Sequence, residues 1–361
     1  MEKIYWLWLS DLFDLNVFNM NLLLGIFDSP ENIYKLKEKT LLNSGINETI
    51  VNRIISSRDE NELCKKFGNI SRKGIMFSCY GDDDFPDFSS LGMLQPRVLY
   101  YKGRLPKKDE MTIAMVGARK CSEYGKNVAM MLAGQAAHIG ASVVSGLALG
   151  IDMWSHKGTI DNGGTTYAVL GCGTDLCYPA YNERLYDEII EKGGGIISEY
   201  RPGTPPAKYR FPLRNRIISG LSQKVIIIEA KKQSGSLITA KAALEQGKDV
   251  YAVPGRIGDI LSEGCNELIK EGAGIITDIG DLLIQGQIIM ENQNEYIEKN
   301  LNLGLEKDLQ VLYSSVDLLP KSIDEIAMKC NMDIAEAVRG MTLLQLKGLV
   351  KENIKNYYSK N

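Results

Sequence analysis

Residues 112–119 read Thr-Ile-Ala-Met-Val-Gly-Ala-Arg, an apolar run over Thr112–Val116 that stops at a glycine and then a cation. A short continuous run bounded by turn residues fits a strand buried on both faces, where no polar alternation is needed. The same signature recurs at Ser142–Val144, Tyr167–Leu170, Gly195–Ser198, Val225–Ile228, Val250–Val253 and Gly274–Ile276, with helical stretches between. Strands alternating with helices in this way predict an α/β fold with a mostly parallel, doubly wound sheet of the Rossmann-like class. Ligands of such sheets bind beyond the carboxyl ends of the strands. Those ends read Val116-Gly117-Ala118-Arg119, Ser145-Gly146-Leu147-Ala148-Leu149-Gly150, Leu170-Gly171-Cys172-Gly173, Ser198-Glu199-Tyr200 and Glu229-Ala230.

Three of these ends are glycine-rich and lead into helices, an arrangement whose free backbone N–H groups and helix dipole favour an anion. Plain tight turns explain the glycines equally well. Neither G-x-G-x-x-G after the first strand nor a P-loop G-x-x-x-x-G-K-[ST] occurs, so the two common nucleotide fingerprints are excluded. Ser234-Gly235-Ser236-Leu237-Ile238-Thr239 adds a small-residue loop in front of a helix, with hydroxyls suited to a phosphate.

Residues 201–216 concentrate Arg201, Lys208, Arg210, Arg214 and Arg216 with no acid among them, and Tyr209 and Phe211 alternate with the charges. Pro202, Pro205, Pro206 and Pro212 predict a stiff loop opening into Arg214–Ser222. Cations interleaved with flat rings suit a polyanion with unpaired bases, charge holding phosphates and rings stacking on bases. A solvated basic loop closing an active site fits the charge run as well.

Outward from this core, residues 1–72 read as short helices. Ser29-Pro30 places a capping serine before proline at the first helical position, and Asn43-Ser44-Gly45 gives a stop and a new start, so a helix–hairpin–helix (SAM-like) module fits. Residues 73–290 hold the core, beginning with a strand, the acidic loop Asp82-Asp83-Asp84 and a second strand at Val98–Tyr101. Residues 291–302 are mostly polar and read as a linker. In 303–361, helices at Leu305–Val316, from Ser322 and at Asp333–Leu346 precede two strands, Gly348–Lys351 and Ile354–Tyr358, which predicts a winged helix. Its third helix carries only Arg339 and Lys347, which favours packing over groove reading.

The formal net charge of −3 excludes a generally basic coat, so any affinity for nucleic acid must come from a local patch. The apolar run Ile4–Leu9 is too short for a signal peptide or a membrane span. Seven cysteines without a CxxC pair, and two histidines in helical stretches, point to reduced thiols in a cytoplasm and to no metal site.

Val116–Gly125, Ser145–Asp152, Ala168–Gly173, Phe211–Ser222, Ser234–Ala240 and Val253-Pro254-Gly255 together resemble, in order over residues 80–280, the signatures of the DNA-processing protein A (DprA, also Smf) family. The resemblance implies a single-stranded-DNA-binding recombination mediator that dimerises, protects incoming strands during natural transformation and loads RecA, with no cofactor and no membrane. It implies Arg119, Lys208, Arg214, Asn215 and Arg216 on phosphates, with Arg210 in the same DNA-binding set and Phe211 stacking on or wedging a base. Gly117, Ser145, Gly146, Gly235 and Ser236 would donate around the same pocket. Ala118 and Cys121 depart from the family pattern without removing a charge.

The rival class is a phosphoribohydrolase acting on nucleoside monophosphates, whose sheet the core also resembles. Those enzymes pair an arginine, matched by Arg214, with a glutamate that would fall at Ala242. Alanine neither stabilises an oxocarbenium ion nor activates water, so a binder rather than an enzyme is expected. Glu199 and Glu229, at strand ends, are expected to line the groove or to hold Arg214 or Arg216.

Overall fold

The apolar run at 112–117 is the third strand of a nine-stranded sheet. The protein is described by a computed structural model covering residues 2–13, 17–282, 307–317 and 320–360. The chain divides into two units. One is built on the residues up to Lys120 and on Ala129–Thr277, the other on Cys121–Val128 and the residues from Asp278.

In the first unit, helices α1 (Glu2–Phe13), α2 (Val17–Phe27), α3 (Pro30–Lys35), α4 (Glu38–Asn43), α5 (Glu48–Ser56) and α6 (Glu60–Arg72) precede the sheet. The Ser29 hydroxyl caps α3 by accepting from the Asn32 N–H, with Pro30 at the first turn as the sequence predicts. Trp8, Leu9, Ile33, Leu41 and Ile54 close the core of these helices.

The sheet strands are β1 (Met76–Cys79), β2 (Val98–Gly103), β3 (Thr112–Gly117), β4 (Ser142–Ser145), β5 (Thr166–Val169), β6 (Gly195–Ser198), β7 (Lys224–Ile228), β8 (Asp249–Ala252) and β9 (Gly274–Ile275). Their order is β1-β2-β6-β5-β4-β3-β7-β8-β9, with β1 and β2 antiparallel at one edge and the rest parallel. Helices α7 (Glu123–His138), α8 (Ile151–Asp161), α9 (Glu183–Glu191), α10 (Arg210–Gly220), α11 (Gly235–Glu245) and α12 (Glu263–Lys270) fill the connections. Every predicted parallel strand is present; the inner ones are buried on both faces, as continuous apolar runs require, while Ile275 on the edge strand β9 is exposed. Ile113, Met115, Ile226, Ile227 and Ile228 are fully buried. Each such side chain contributes ~1.5–3 kcal/mol, and Ile227→Ala would cost ~2–5 kcal/mol.

The chain runs from β3 outward to β6 and then returns to β7 on the opposite side of β3. The order therefore reverses between β3 and β7, which opens a crevice at their carboxyl ends. Contact there is close: a Cβ on Gly117 would lie 1.8 Å from the Ile228 carbonyl oxygen.

The acidic loop after β1 is satisfied locally. Asp82 accepts the Cys79 N–H at 2.8 Å and pairs with Lys3 at 2.8 Å, while Asp84 accepts from Ser78 Oγ at 2.7 Å and from the Tyr101 hydroxyl at 3.0 Å.

In the second unit, helices Lys307–Ser315, Ile323–Cys330 and Ile334–Leu346 pack around Leu312, Ile326, Met341 and Leu344. Strands Lys321–Ser322, Val350–Ile354 and Tyr357–Lys360 form an antiparallel sheet with Tyr357–Lys360 in the middle. Ser322 and Glu325 make the capping box that their spacing predicts. The predicted linker 291–302 and the start of the helix expected from Leu305 lie outside the described residues.

Candidate nucleic-acid interface

One expectation about local structure is corrected. The basic stretch is not a loop as far as Arg214: α10 begins at Arg210, so Phe211, Arg214 and Arg216 stand on a helix. Pro212 is the third helical residue, where the backbone N–H has no intrahelical acceptor, so the proline breaks nothing. The stiff segment is confined to residues 201–209.

The helix turns most of the cations inward. Arg214 is 4% exposed, and its guanidinium donates to the Gly146 carbonyl at 2.9 Å and to the Val169 carbonyl. Arg216 is 9% exposed and donates to both carboxylate oxygens of Glu199 at 2.8 Å and to the Leu94 carbonyl at 2.9 Å. Arg210 is buried, donates to the Pro205 carbonyl and lies over the rings of Tyr200 and Tyr209. Asn215 Nδ2 donates to the Gly235 carbonyl at 3.3 Å, and its Oδ1 accepts from Arg214 Nε at 3.2 Å.

Glu199 thus holds Arg216, one of the roles expected for it. Glu229 is buried at the end of β7 in the left-handed region, φ 55°. Asp152, at the start of α8, was not singled out in the sequence beyond its place in a motif. It accepts the Gly146 N–H at 3.1 Å, and a Cβ on Gly146 would lie 2.6 Å from Arg214 Nη2 and 2.7 Å from Asp152 Oδ2. Burial pushes the Asp152 carboxyl up, opposed by the Arg214 charge; burial pulls the Arg214 guanidinium down, opposed by Asp152.

The donors expected from the glycine-rich ends are partly engaged. Ser145 Oγ donates to the Met115 carbonyl at 2.6 Å, and the Gly146 N–H serves Asp152. Gly235 is exposed as the first residue of α11, and the Ser236 hydroxyl lies 2.7 Å from that of Ser234, the cap of the same helix. Gly117 sits at the crevice, with Arg119 exposed two residues on.

What remains open to solvent is a smaller set. Arg119 and Lys208 are exposed, as are Tyr209 at 60% and Tyr178 at 45%. The Arg119 guanidinium lies 5.4 Å from the centroid of the Phe211 ring. Tyr178 stacks on the same ring, centroids 5.6 Å apart and planes inclined by 29°. Residues from the ends of β3 and β5 and from the first turn of α10 therefore meet around Phe211. Nothing in the sequence marks Tyr178, since nothing local ties it to Phe211; only the loop after β5 brings the two together. An exposed cation beside stacked rings, backed by buried arginines, offers charge to a phosphate and a flat face to a base. On α11, Ala242 follows Thr239 by three residues, and Glu245 is exposed and pairs with Lys241 at 3.9 Å.

The family model for DNA recombination-mediator protein A matches residues 76–287. The DNA processing protein DprA of Streptococcus pneumoniae is 43% identical over 228 residues, which cover 63% of this chain and 78% of that protein. Among solved structures, the X-ray structure of DNA processing protein A from Streptococcus pneumoniae superposes with a TM-score of 0.66 at 35% identity, covering 79% of this chain and 99% of that one. DNA processing protein A from Helicobacter pylori, whose structure was described for its single-stranded DNA binding mode, superposes with a TM-score of 0.51 at 29% identity, covering 63% and 98%. Among the described residues no helix is long and apolar enough to cross a membrane.

Proposed function

The chain belongs to the DNA recombination-mediator protein A family, and from that premise we propose that it holds single-stranded DNA along the carboxyl edge of its sheet without cutting it. The observation that carries this reading is the exposed Arg119 guanidinium beside the Phe211 ring, where residues beyond the carboxyl ends of β3 and β5 meet the first turn of α10. Arg119 and Lys208 meet phosphates, and at the N-terminus of α11 Gly235 adds a backbone donor and Ser236 its hydroxyl. Arg210, Arg214 and Arg216 act from behind. Their partners fix α10 and so hold the exposed residues in place.

Ala242 and the outward-facing Glu245 speak against nucleotide cleavage, because no carboxylate on α11 stands where one would be needed. The recombination step extends the proposal. The bound strand is passed to RecA during natural transformation, in the cytoplasm, by a homodimer, as the family resemblance implies.

The test is fluorescence anisotropy with single- and double-stranded oligonucleotides, run beside an assay for adenine released from AMP. Tighter binding of the single strand with no adenine released is expected. Indifference to oligonucleotides at low salt, together with release of adenine, overturns the reading. Sedimentation reads the dimer, and faster RecA filament growth on the bound strand reads the hand-over.

A further inference from the structure

Phe211 is the ring that the family resemblance assigns to a base, yet its surroundings leave it little room for one. Tyr178 lies over it at an offset-stacking distance of 5.6 Å. The guanidinium of Arg119 stands 5.4 Å from its centroid and that of Arg214 6.0 Å. Against the end of β5 the fit is tighter still: a Cβ on Gly171 would lie 2.9 Å from Phe211 Cδ1. A base reaching Phe211 would first have to displace Tyr178 or Arg119.

Tyr178 is the outer member of the stack, 45% exposed on the loop after β5. Its ring spends one face on Phe211 and leaves the rest of its surface to water. We propose that the base of a bound strand stacks on the outward face of Tyr178, with Phe211 as its buttress and the exposed Arg119 taking the phosphate of the same or the next nucleotide. The inference rests on the single-stranded-DNA reading and names the residue that meets the base. Stacking of this kind accepts any base, because every base has a π-face, so it suits a protein that must hold strands of arbitrary sequence.

Two oligonucleotides separate the contributions: an oligo-dT and an abasic strand with the same number of phosphates. Base–ring stacking is worth ~1–3 kcal/mol, or about 5- to 150-fold in affinity. Y178A is expected to lose affinity for oligo-dT in that range, with its salt dependence unchanged and its affinity for the abasic strand unaltered. Y178F is expected to restore the loss, since the ring and not the hydroxyl carries it. Y178W reads the contact directly: its emission should be quenched by oligo-dT and not by the abasic strand, whether or not Y178A folds well. Oligo-dT binding by Y178A as tight as or tighter than that of the native chain, with Y178W emission unmoved, overturns the assignment while leaving the single-stranded-DNA reading intact. Failure of the native chain to bind either strand overturns both.

Discussion

One guanidinium nitrogen of Arg216, Nη2, donates to both carboxylate oxygens of Glu199 at 2.8 Å, joining α10 to the end of β6 in a site that is nearly closed to water. Removing one partner of a buried pair leaves the other charged and unpaired, which costs ~3–5 kcal/mol. Glu199→Ala should therefore lower the unfolding free energy by that amount in urea titrations. Among molecules still folded, the slope of log affinity against log salt should stay as it was, because the bonds from Arg216 to the Leu94 and Leu213 carbonyls still hold the guanidinium in place. A Glu199→Ala protein of native stability would show the pair to be incidental.

Arg119 and Arg214 should separate by the same logic. Arg119 is exposed, so Arg119→Ala should leave stability within ~0.5 kcal/mol of native and flatten the salt slope by about 0.7, the value of one single-strand phosphate contact. Lys208→Ala should act alike, and the two together should remove about 1.4 from the slope. Arg214→Ala strands the Gly146 and Val169 carbonyls and leaves Asp152 without its nearest cation, so the loss should appear as ~2–4 kcal/mol of stability. Native stability in Arg214→Ala with a flattened slope would reverse the roles.

The strands were legible because burial on both faces writes itself into the chain as uninterrupted apolar runs, and that pattern needs no tertiary knowledge. The start of α10 was not. Pro212 reads as a breaker, and only the position of the first helical residue makes it harmless. The buried state of the arginines was hidden as well, since the groups that hold Arg214 and Arg216 come from β4, β5 and β6. Charge in the sequence says that a cation is present, not which way it faces. Tyr178 was invisible for the same reason, being an ordinary loop tyrosine until the fold lays it on Phe211.

Glycine at 146 and 117 is required by space, and to different degrees. At Gly146 an added Cβ would meet the ends of two side chains, Arg214 and Asp152, which are anchored but have some freedom. Gly146→Ala should cost ~1–3 kcal/mol and weaken strand binding, because Arg214 shifts and carries the first turns of α10 with it. At Gly117 the obstacle is backbone, the Ile228 carbonyl, which has nowhere to go within the β3–β7 pairing. Gly117→Ala should be the more damaging of the two in thermal melts. The opposite order would mean that the sheet yields more easily than the arginine site.

Acid should weaken the fold in two stages, and His156 sets the upper one. The Thr166 hydroxyl donates its only hydrogen to the Val143 carbonyl at 2.7 Å, so in the 2.7 Å contact between His156 Nδ1 and Thr166 Oγ1 the imidazole is the donor. A second proton would have to go onto Nε2 inside the protein. Burial, reinforced by the positive charge of Arg214, pulls the imidazole down to about 3. The unfolded chain takes up that proton near pH 6.5 while the folded chain refuses it, so stability is full above 6.5 and drains as pH falls toward 3, by at most ~1.4 kcal/mol per pH unit. Glu110 sets the lower stage. Burial raises its carboxyl, but hydrogen bonds from Arg104, Ser142, the Lys107 N–H and Tyr167 outweigh this and hold it at about 2, so its contribution is lost between pH 4.5 and 2. Urea titrations from pH 7.5 down to 4.5 should show the native chain losing stability from about 6.5 relative to His156→Gln, a comparison that cancels the opposite contribution of the upward-shifted Asp152 and Glu199 carboxyls. His156→Gln, whatever its absolute stability, should stay flatter by up to ~1.4 kcal/mol per pH unit until the carboxylates begin to protonate. Curves that run parallel would place the titrating group elsewhere.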